Sequence, residues 1–123
     1  MNNKLRHEVI FRDKGYCQYC GFDHSTSYAT YAAHEIDHVT IPRGQPGCDA
    51  IDNLKLSCSG CNKILGGAYK RKLILDTFEK RKAYIQKCMG EDKDTWFPGV
   101  QAEILRTRTP ITQASRSTPQ RDK

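Results

Sequence analysis

The sequence predicts a small α+β domain made of two short strands with helices on either side. Two Cys-x-x-Cys pairs, Cys17/Cys20 and Cys58/Cys61, bracket a segment that contains strand-like runs and a loop rich in proline and glycine. Apolar residues at helical spacing lie before the first pair and after the second. With 123 residues, the chain has the length of one domain with a short tail.

The first half of the chain predicts a helix followed by a hairpin. Residues 3–14 have an amphipathic pattern that ends near Gly15, where a helix would stop. Residues 28–39 are rich in aromatic and small side chains, which predicts a strand. Residues 40–52 form a loop because they contain two prolines and two glycines, and residues 53–57 alternate as a short return strand.

The second half predicts helices and a basic tail. A helix is expected to open at Cys61 or Asn62 and to be interrupted or ended by Gly66-Gly67. Residues 68–89 have apolar positions three, four and seven apart, so they predict the longest helix. We expect a folded domain over 1–99, including a loop at 91–99, and a basic, disordered tail over 100–123. Within this tail, residues 101–106 have the pattern of a final turn of helix, and the disorder is expected beyond Thr109.

Positive charge concentrates after the second cysteine pair. The net charge is +6, of which residues 68–89 carry a local +5 from seven bases and two acids. A solvated helix face would explain these bases by itself, but a polyanionic partner suits their clustering. The candidate nucleic-acid-binding residues are Lys63, Lys70, Arg71, Lys72, Lys80, Arg81 and Lys82.

The sequence favours a cytoplasmic protein that is neither secreted nor inserted in a membrane. The N-terminus has no apolar stretch after a basic start, and no segment approaches the roughly 18 apolar residues of a membrane span. A cytosolic compartment keeps thiols reduced, so paired cysteines there bind metal more often than they form disulfides.

The paired cysteines predict a structural zinc ion. Each Cys-x-x-Cys turn supplies two thiolates to a tetrahedral site, and four sulfur ligands leave no open position for chemistry. The interval between the pairs exceeds the roughly 15–20 residues of a simple zinc ribbon and has room for the hairpin. The alternatives are two redox-active dithiols or four unrelated buried thiols. Cys48 and Cys88 are left without an assigned role.

Four polar residues within this frame predict phosphodiester hydrolysis. Asp37 is a hard oxygen ligand for Mg²⁺ or Mn²⁺, and Asn62 adds a neutral oxygen. His38 has an unperturbed pKa near 6.5, which suits a general base that activates water. Asn53 is better placed to bridge backbone groups across the loop. Taken singly, His38 would be an ordinary hydrogen-bonded histidine and Asn62 a helix cap.

The ordered combination of these motifs resembles the HNH endonuclease family in its four-cysteine zinc form. The matching stretches are Cys17-x-x-Cys20-Gly21, Glu35-Ile36-Asp37-His38-Val39, Asp52-Asn53-Leu54 and Cys58-x-x-Cys61-Asn62. The resemblance implies a ββα-metal (His-Me finger) fold and DNA cleavage that leaves 5′-phosphate ends. It also implies that Asp37 and Asn62 bind a catalytic divalent ion, that His38 is the base and that Asn53 holds the hairpin.

Three positions depart from the family pattern. Asn62 replaces the final histidine of many members, the usual Gly-Gly is spread over 43–47, and Leu65 stands at a frequent lysine position. Two alternatives stay open: a zinc-stabilised nucleic-acid-binding module without catalysis, and a nuclease acting on RNA or on branched or modified DNA. Cleavage of both strands would require a homodimer or two encounters. A bacterial or phage-infected cell, and a larger phage or defence complex, would suit a nuclease of this size.

Overall fold

The computed structural model describes residues 1–108, which contain five α-helices and two β-strands. The helices are α1 (Asn3–Arg12), α2 (Tyr28–Ala32), α3 (Ser59–Lys70), α4 (Phe78–Thr95) and α5 (Phe97–Thr107), and the strands are β1 (His34–His38) and β2 (Leu54–Cys58). The predicted α+β class is confirmed. The chain divides into two compact units, 1–89 and 90–123, and the division falls inside α4.

Strands β1 and β2 form an antiparallel pair in which Ile36 faces Leu56 and Asp37 faces Lys55. Both Ile36 and Leu56 are buried, as the alternation of a half-buried strand requires. A 3₁₀ turn over Ile51–Asn53 leads directly into β2. The register therefore places the adjacent Asp37 and His38 at the end of β1, next to the long loop.

The predicted strand over 28–39 is wrong in its first half. Ser27 and Thr30 form a capping box, in which the Ser27 hydroxyl accepts from the Thr30 N–H and the Thr30 hydroxyl accepts from the Ser27 N–H. Because these bonds satisfy free donors at a helix start, residues 28–32 form the short helix α2 instead of extending β1.

The predicted helix over 68–89 is also wrong, because its residues belong to two helices. Helix α3 begins at Ser59, with Cys58 as its N-cap, and continues through Gly66-Gly67 to Lys70. It ends in a Schellman motif: the Leu73 N–H donates to the Ala68 carbonyl at 3.0 Å, and Lys72 has a φ of 61°. Helix α4 begins only after an extended segment.

The core of unit 1–89 consists of two buried clusters, each of which includes residues of the hairpin. One contains four apolar residues from α1 and the strands: Val9, Ile36, Leu54 and Leu56. The other surrounds the cysteines and receives side chains from α3 and α4: Cys17, Tyr19, Cys58, Cys61, Leu65 and Ile85. Each cluster is small, so the cysteine site carries a large share of the second one.

The described part of unit 90–123 contains the end of α4 and helix α5. The sequence predicted a loop over 91–99 and a turn of helix over 101–106, at the start of the basic tail. Helix α5 contains that turn but begins earlier, at Phe97, where a proline in its first turn and a Glu103–Arg106 ion pair support helix. The rest of the predicted tail, residues 109–123, lies outside the described residues. Within residues 1–108, no helix is both long and apolar enough to cross a bilayer.

Candidate functional site

The four paired cysteines converge on one point. Their Sγ atoms all lie within 4.8 Å of one another, with 3.8 Å between Cys17 and Cys61 and 3.7 Å between Cys20 and Cys58. A disulfide would bring two sulfurs to about 2.05 Å. Four sulfurs at about 2.3 Å from a tetrahedral zinc ion lie about 3.8 Å apart. The donor set and its spacing therefore fit zinc.

Backbone turns aim the sulfurs at this point. Gly21 has a φ of 81° and its N–H donates to the Cys17 carbonyl at 2.8 Å, which closes the first knuckle. In the second knuckle, the Cys61 N–H donates to the Cys58 Sγ at 3.3 Å. Hydrogen bonding with Cys58 lowers the pKa of Cys17, whereas hydrogen bonding with Cys17 raises the pKa of Cys61. The cluster favours one thiolate at the expense of another, so a bound cation is required for all four to ionise.

Asp37 is buried and held by two side chains. It is 4% exposed, and Arg81 donates to both of its oxygens, from Nε at 2.8 Å and from Nη2 at 2.5 Å. The Tyr19 hydroxyl donates a short hydrogen bond to the same carboxylate. Burial, together with the charge of Asp37, raises the pKa of Tyr19, so that this hydroxyl remains a donor.

Arg81 occupies a different position from the one its place in a basic run predicted. Its side chain is 15% exposed, and its Nη1 donates to the Leu75 carbonyl at 2.7 Å. Burial alone lowers the pKa of Arg81, but the hydrogen bonds and charge of Asp37 outweigh it and raise the pKa above its usual value. One turn earlier on α4, Phe78 stacks on Tyr19. Helix α4 therefore holds the end of the hairpin that carries Asp37, through Arg81 and Phe78.

His38 is paired with Asp49, an acid of the long loop that no sequence motif indicated. Its Nε2 lies 2.8 Å from the Asp49 Oδ1. Because an ionised carboxylate only accepts hydrogen bonds, Nε2 carries the proton in this contact and Nδ1 of the neutral ring keeps its lone pair. The hydrogen bond from His38 holds the pKa of Asp49 below its ordinary value. Cys48 also donates to Asp49, at 3.6 Å.

Asn53 closes the loop that carries Asp49. Its Oδ1 accepts from the N–H groups of Thr40 and Ile41, both at 2.9 Å. Its Nδ2 donates to the carbonyl oxygens of Ile41 at 2.9 Å and Cys48 at 2.7 Å. Asn53 is 6% exposed, and its carboxamide forms all four of its hydrogen bonds inside the protein.

Asn53→Ala is expected to destabilise unit 1–89 by about 3 kcal/mol. It removes the partners of four backbone groups of the loop, and because these groups are only partly buried and water can replace some of the bonds, the total stays below four full penalties of about 1–3 kcal/mol. Urea unfolding monitored by circular dichroism measures the change. The matched control is Asp52→Ala, which alters an exposed residue of the same 3₁₀ turn. Equal stability of the two variants would show that the loop does not depend on these bonds.

Asp37, His38 and Asn62 line one open cavity of about 670 Å³. Asn62 lies in the first turn of α3, where the N-cap is Cys58, so Asn62 is not the helix cap. Arg43 and Arg81 line the same cavity. The structure therefore brings together a carboxylate, an imidazole and a carboxamide beside two guanidinium groups.

The remaining predicted nucleic-acid-binding residues lie on the surface of unit 1–89. Five are exposed: Lys63, Lys70, Arg71, Lys72 and Lys80. Lys82 is half-buried, with its Nζ 5.8 Å from the centre of the Phe78 ring. Lys80 also pairs with Asp76 at 3.1 Å. Apart from Arg81, the basic run thus remains accessible to a polyanion.

The two strands, helix α3 and the four-cysteine cluster define a small α+β domain with a possible zinc site. Residues 17–67 match the model of the HNH endonuclease family, which confirms the resemblance for the segment holding both cysteine pairs and the hairpin. The match of this segment implies a nuclease that acts on nucleic acid. No curated protein and no solved structure matches the chain.

Proposed function

We propose that the protein is a metal-dependent endonuclease that hydrolyses DNA phosphodiester bonds, with His38 as general base and with Asp37 and Asn62 holding a divalent ion. The observation that carries this proposal is the shared cavity of these three residues. Carboxylate and carboxamide oxygens fit Mg²⁺ or Mn²⁺, which keep several water ligands. Arg81 and Tyr19 use about three of the roughly four acceptor positions of Asp37, which leaves one for an ion.

A divalent ion, when bound, supplies a positive charge for the scissile phosphate and the leaving oxygen. His38 removes a proton from water through Nδ1, the water oxygen bonds to phosphorus, and the phosphorus bond to the 3′ oxygen breaks. The 3′ oxygen leaves with a proton taken from solvent or from His38. Asp49 fixes the His38 ring through Nε2 and stabilises the imidazolium that forms.

Two alternative functions are a binding module without catalysis and a nuclease with a different nucleic-acid substrate. A zinc-stabilised binding module without catalysis has no need for Asp37, His38 and Asn62 in one cavity. A nuclease for RNA or for branched or modified DNA would use the same catalytic groups. The family match and the exposed bases support nucleic acid as the substrate, and we propose DNA on the family resemblance.

Incubation with supercoiled plasmid and Mg²⁺ or Mn²⁺ tests the proposal. Conversion to nicked or linear plasmid that stops with a chelator at concentrations sparing the zinc supports DNA hydrolysis. Parallel reactions with single-stranded RNA and a four-way DNA junction separate the substrates. Binding without cleavage of any of these substrates would favour the binding module.

Neutralising Lys70, Arg71 and Lys72 by glutamine is expected to weaken DNA binding similarly on unrelated sequences. Contacts to phosphate carry no base information, and the salt dependence falls by about 0.9 per lost contact. Fluorescence anisotropy at several salt concentrations measures the slope. Neutralising the exposed Lys4, Lys87 and Lys93 is the matched control. An unchanged slope in the Lys70/Arg71/Lys72 variant would show that this segment does not contact phosphate.

A further inference from the structure

The charges around the proposed ion site cancel one another. Four charged side chains line the cavity, two acidic and two basic: Asp37, Asp76, Arg43 and Arg81. Asn62 is neutral, and Asp76 is already paired with Lys80. A divalent ion entering this cavity alone therefore finds no net negative charge to offset the loss of its hydration.

Arg81 is the residue that removes the charge of Asp37. Its guanidinium donates to both carboxylate oxygens and is anchored on its other side by the Leu75 carbonyl. Arginine remains protonated at all ordinary pH values. Both side chains are largely buried, at 15% and 5% exposure, so salt screens this pair little. The neutralisation is therefore a fixed property of the folded unit.

We propose that Arg81 makes divalent-cation binding depend on nucleic acid, because a phosphate group supplies the negative charge that Asp37 has lost to Arg81. This inference rests on the proposed function, since it takes Asp37 and Asn62 as the ligands. Mg²⁺ is commonly held by one or two carboxylates together with substrate phosphates. The ion and the polyanion load together, and by linkage each raises the affinity for the other by the same factor.

The dependence has a physical advantage for a nuclease. A site that fills only beside a phosphate does not hold an activated water molecule in the free protein. The anchored guanidinium also stays beside Asp37 when the phosphate arrives, where it offers positive charge to a polyanion. Neutral Asn62 adds a ligand without restoring negative charge. Asp37, Arg81 and Asn62 thus give a low affinity for the divalent ion in the free protein and a high affinity when nucleic acid is bound.

Mn²⁺ titration measured by electron paramagnetic resonance tests the inference on the full-length, zinc-loaded protein. The His38→Ala background is used so that a 20-nucleotide DNA duplex is bound but not cut. We expect weak Mn²⁺ binding alone and binding at least about tenfold tighter with the duplex, within the usual range of coupling. Arg81→Met should tighten Mn²⁺ binding without DNA by about tenfold and reduce the effect of the duplex accordingly.

Two further variants separate charge from structure. Arg81→Lys keeps the charge and should bind free Mn²⁺ as weakly as the parent. Lys4→Met removes an exposed positive charge of the same unit, outside the proposed phosphate-contacting segment, and should leave Mn²⁺ binding unchanged. Zinc content and melting temperature establish that each variant is folded.

Two results would overturn the inference. If Arg81→Met weakens Mn²⁺ binding, Arg81 orients the ligand instead of opposing the ion. If the duplex leaves Mn²⁺ affinity unchanged in the parent, the coupling does not exist. If Mn²⁺ does not bind under any condition, Asp37 and Asn62 are excluded as its ligands as well. The plasmid assay decides independently whether the protein cleaves DNA.

Discussion

Replacing His38 by alanine is expected to reduce DNA cleavage by about 100-fold to 10,000-fold, the usual contribution of a positioned general base. The imidazole lies in the same cavity as Asp37 and Asn62, and Asp49 holds its Nε2. Replacement by alanine removes the Nδ1 lone pair and also leaves Asp49 without its hydrogen-bond partner. Initial rates of plasmid nicking under saturating metal measure the loss.

The loss should occur in the chemical step and not in binding. His7 provides the matched control, because it is an exposed histidine on α1 whose ring stacks on Phe11. His7→Ala should cut at the parent rate. His38→Ala should retain its zinc and bind the plasmid with parental affinity. A fully active His38→Ala variant would exclude His38 as the base and move the search to another group in the cavity.

The cysteine site and the hairpin could be predicted because their signals are local. A Cys-x-x-Cys turn fixes two ligands within four residues, and alternation around Ile36 fixes a strand face. Asn53 could be predicted to bridge the loop because its carboxamide both donates and accepts hydrogen bonds and lies at the start of the predicted return strand. These features depend on sequence neighbours, so the sequence contains the information required.

The environment of Asp37 and His38 could not be predicted in the same way. Arg81 reaches Asp37 from α4, which begins only at Phe78 because α3 ends at Lys70. This end includes Lys72 in a positive-φ conformation. A continuous helical pattern over 68–89 concealed it. Asp49 reaches His38 through the folded path of the loop, which its proline and glycine content leaves open. Tertiary packing decided both pairings.

Tyr19 could have been recognised from one signal. It lies inside the first Cys-x-x-Cys turn, so any bound metal places it close to the second turn and to the start of α3. Its hydroxyl and ring then serve separate purposes, since the hydroxyl donates to Asp37 and the ring stacks on Phe78. The first Cys-x-x-Cys turn thereby positions the Asp37 carboxylate through Tyr19.

Removing one zinc ligand should therefore unfold unit 1–89. Structural zinc contributes about 10–16 kcal/mol in zinc-finger peptides, whereas the total stability of a domain is about 5–15 kcal/mol. Cys20→Ser is the most informative change, because Cys20 is exposed and its replacement removes little packing. We expect loss of bound zinc and of the cooperative thermal transition, measured by metal analysis and circular dichroism.

Cys61→Ser and Cys88→Ser complete this test. Cys61 is fully buried, so its replacement combines the loss of a ligand with the loss of packing, while Cys88 is half-buried and lies outside the four-sulfur cluster. If zinc is the cause, Cys20→Ser and Cys61→Ser should be similarly disruptive and Cys88→Ser nearly neutral. If Cys61→Ser alone unfolds the protein, buried packing rather than metal holds the second core cluster together. The hairpin would then keep Asp37 and His38 in place without zinc.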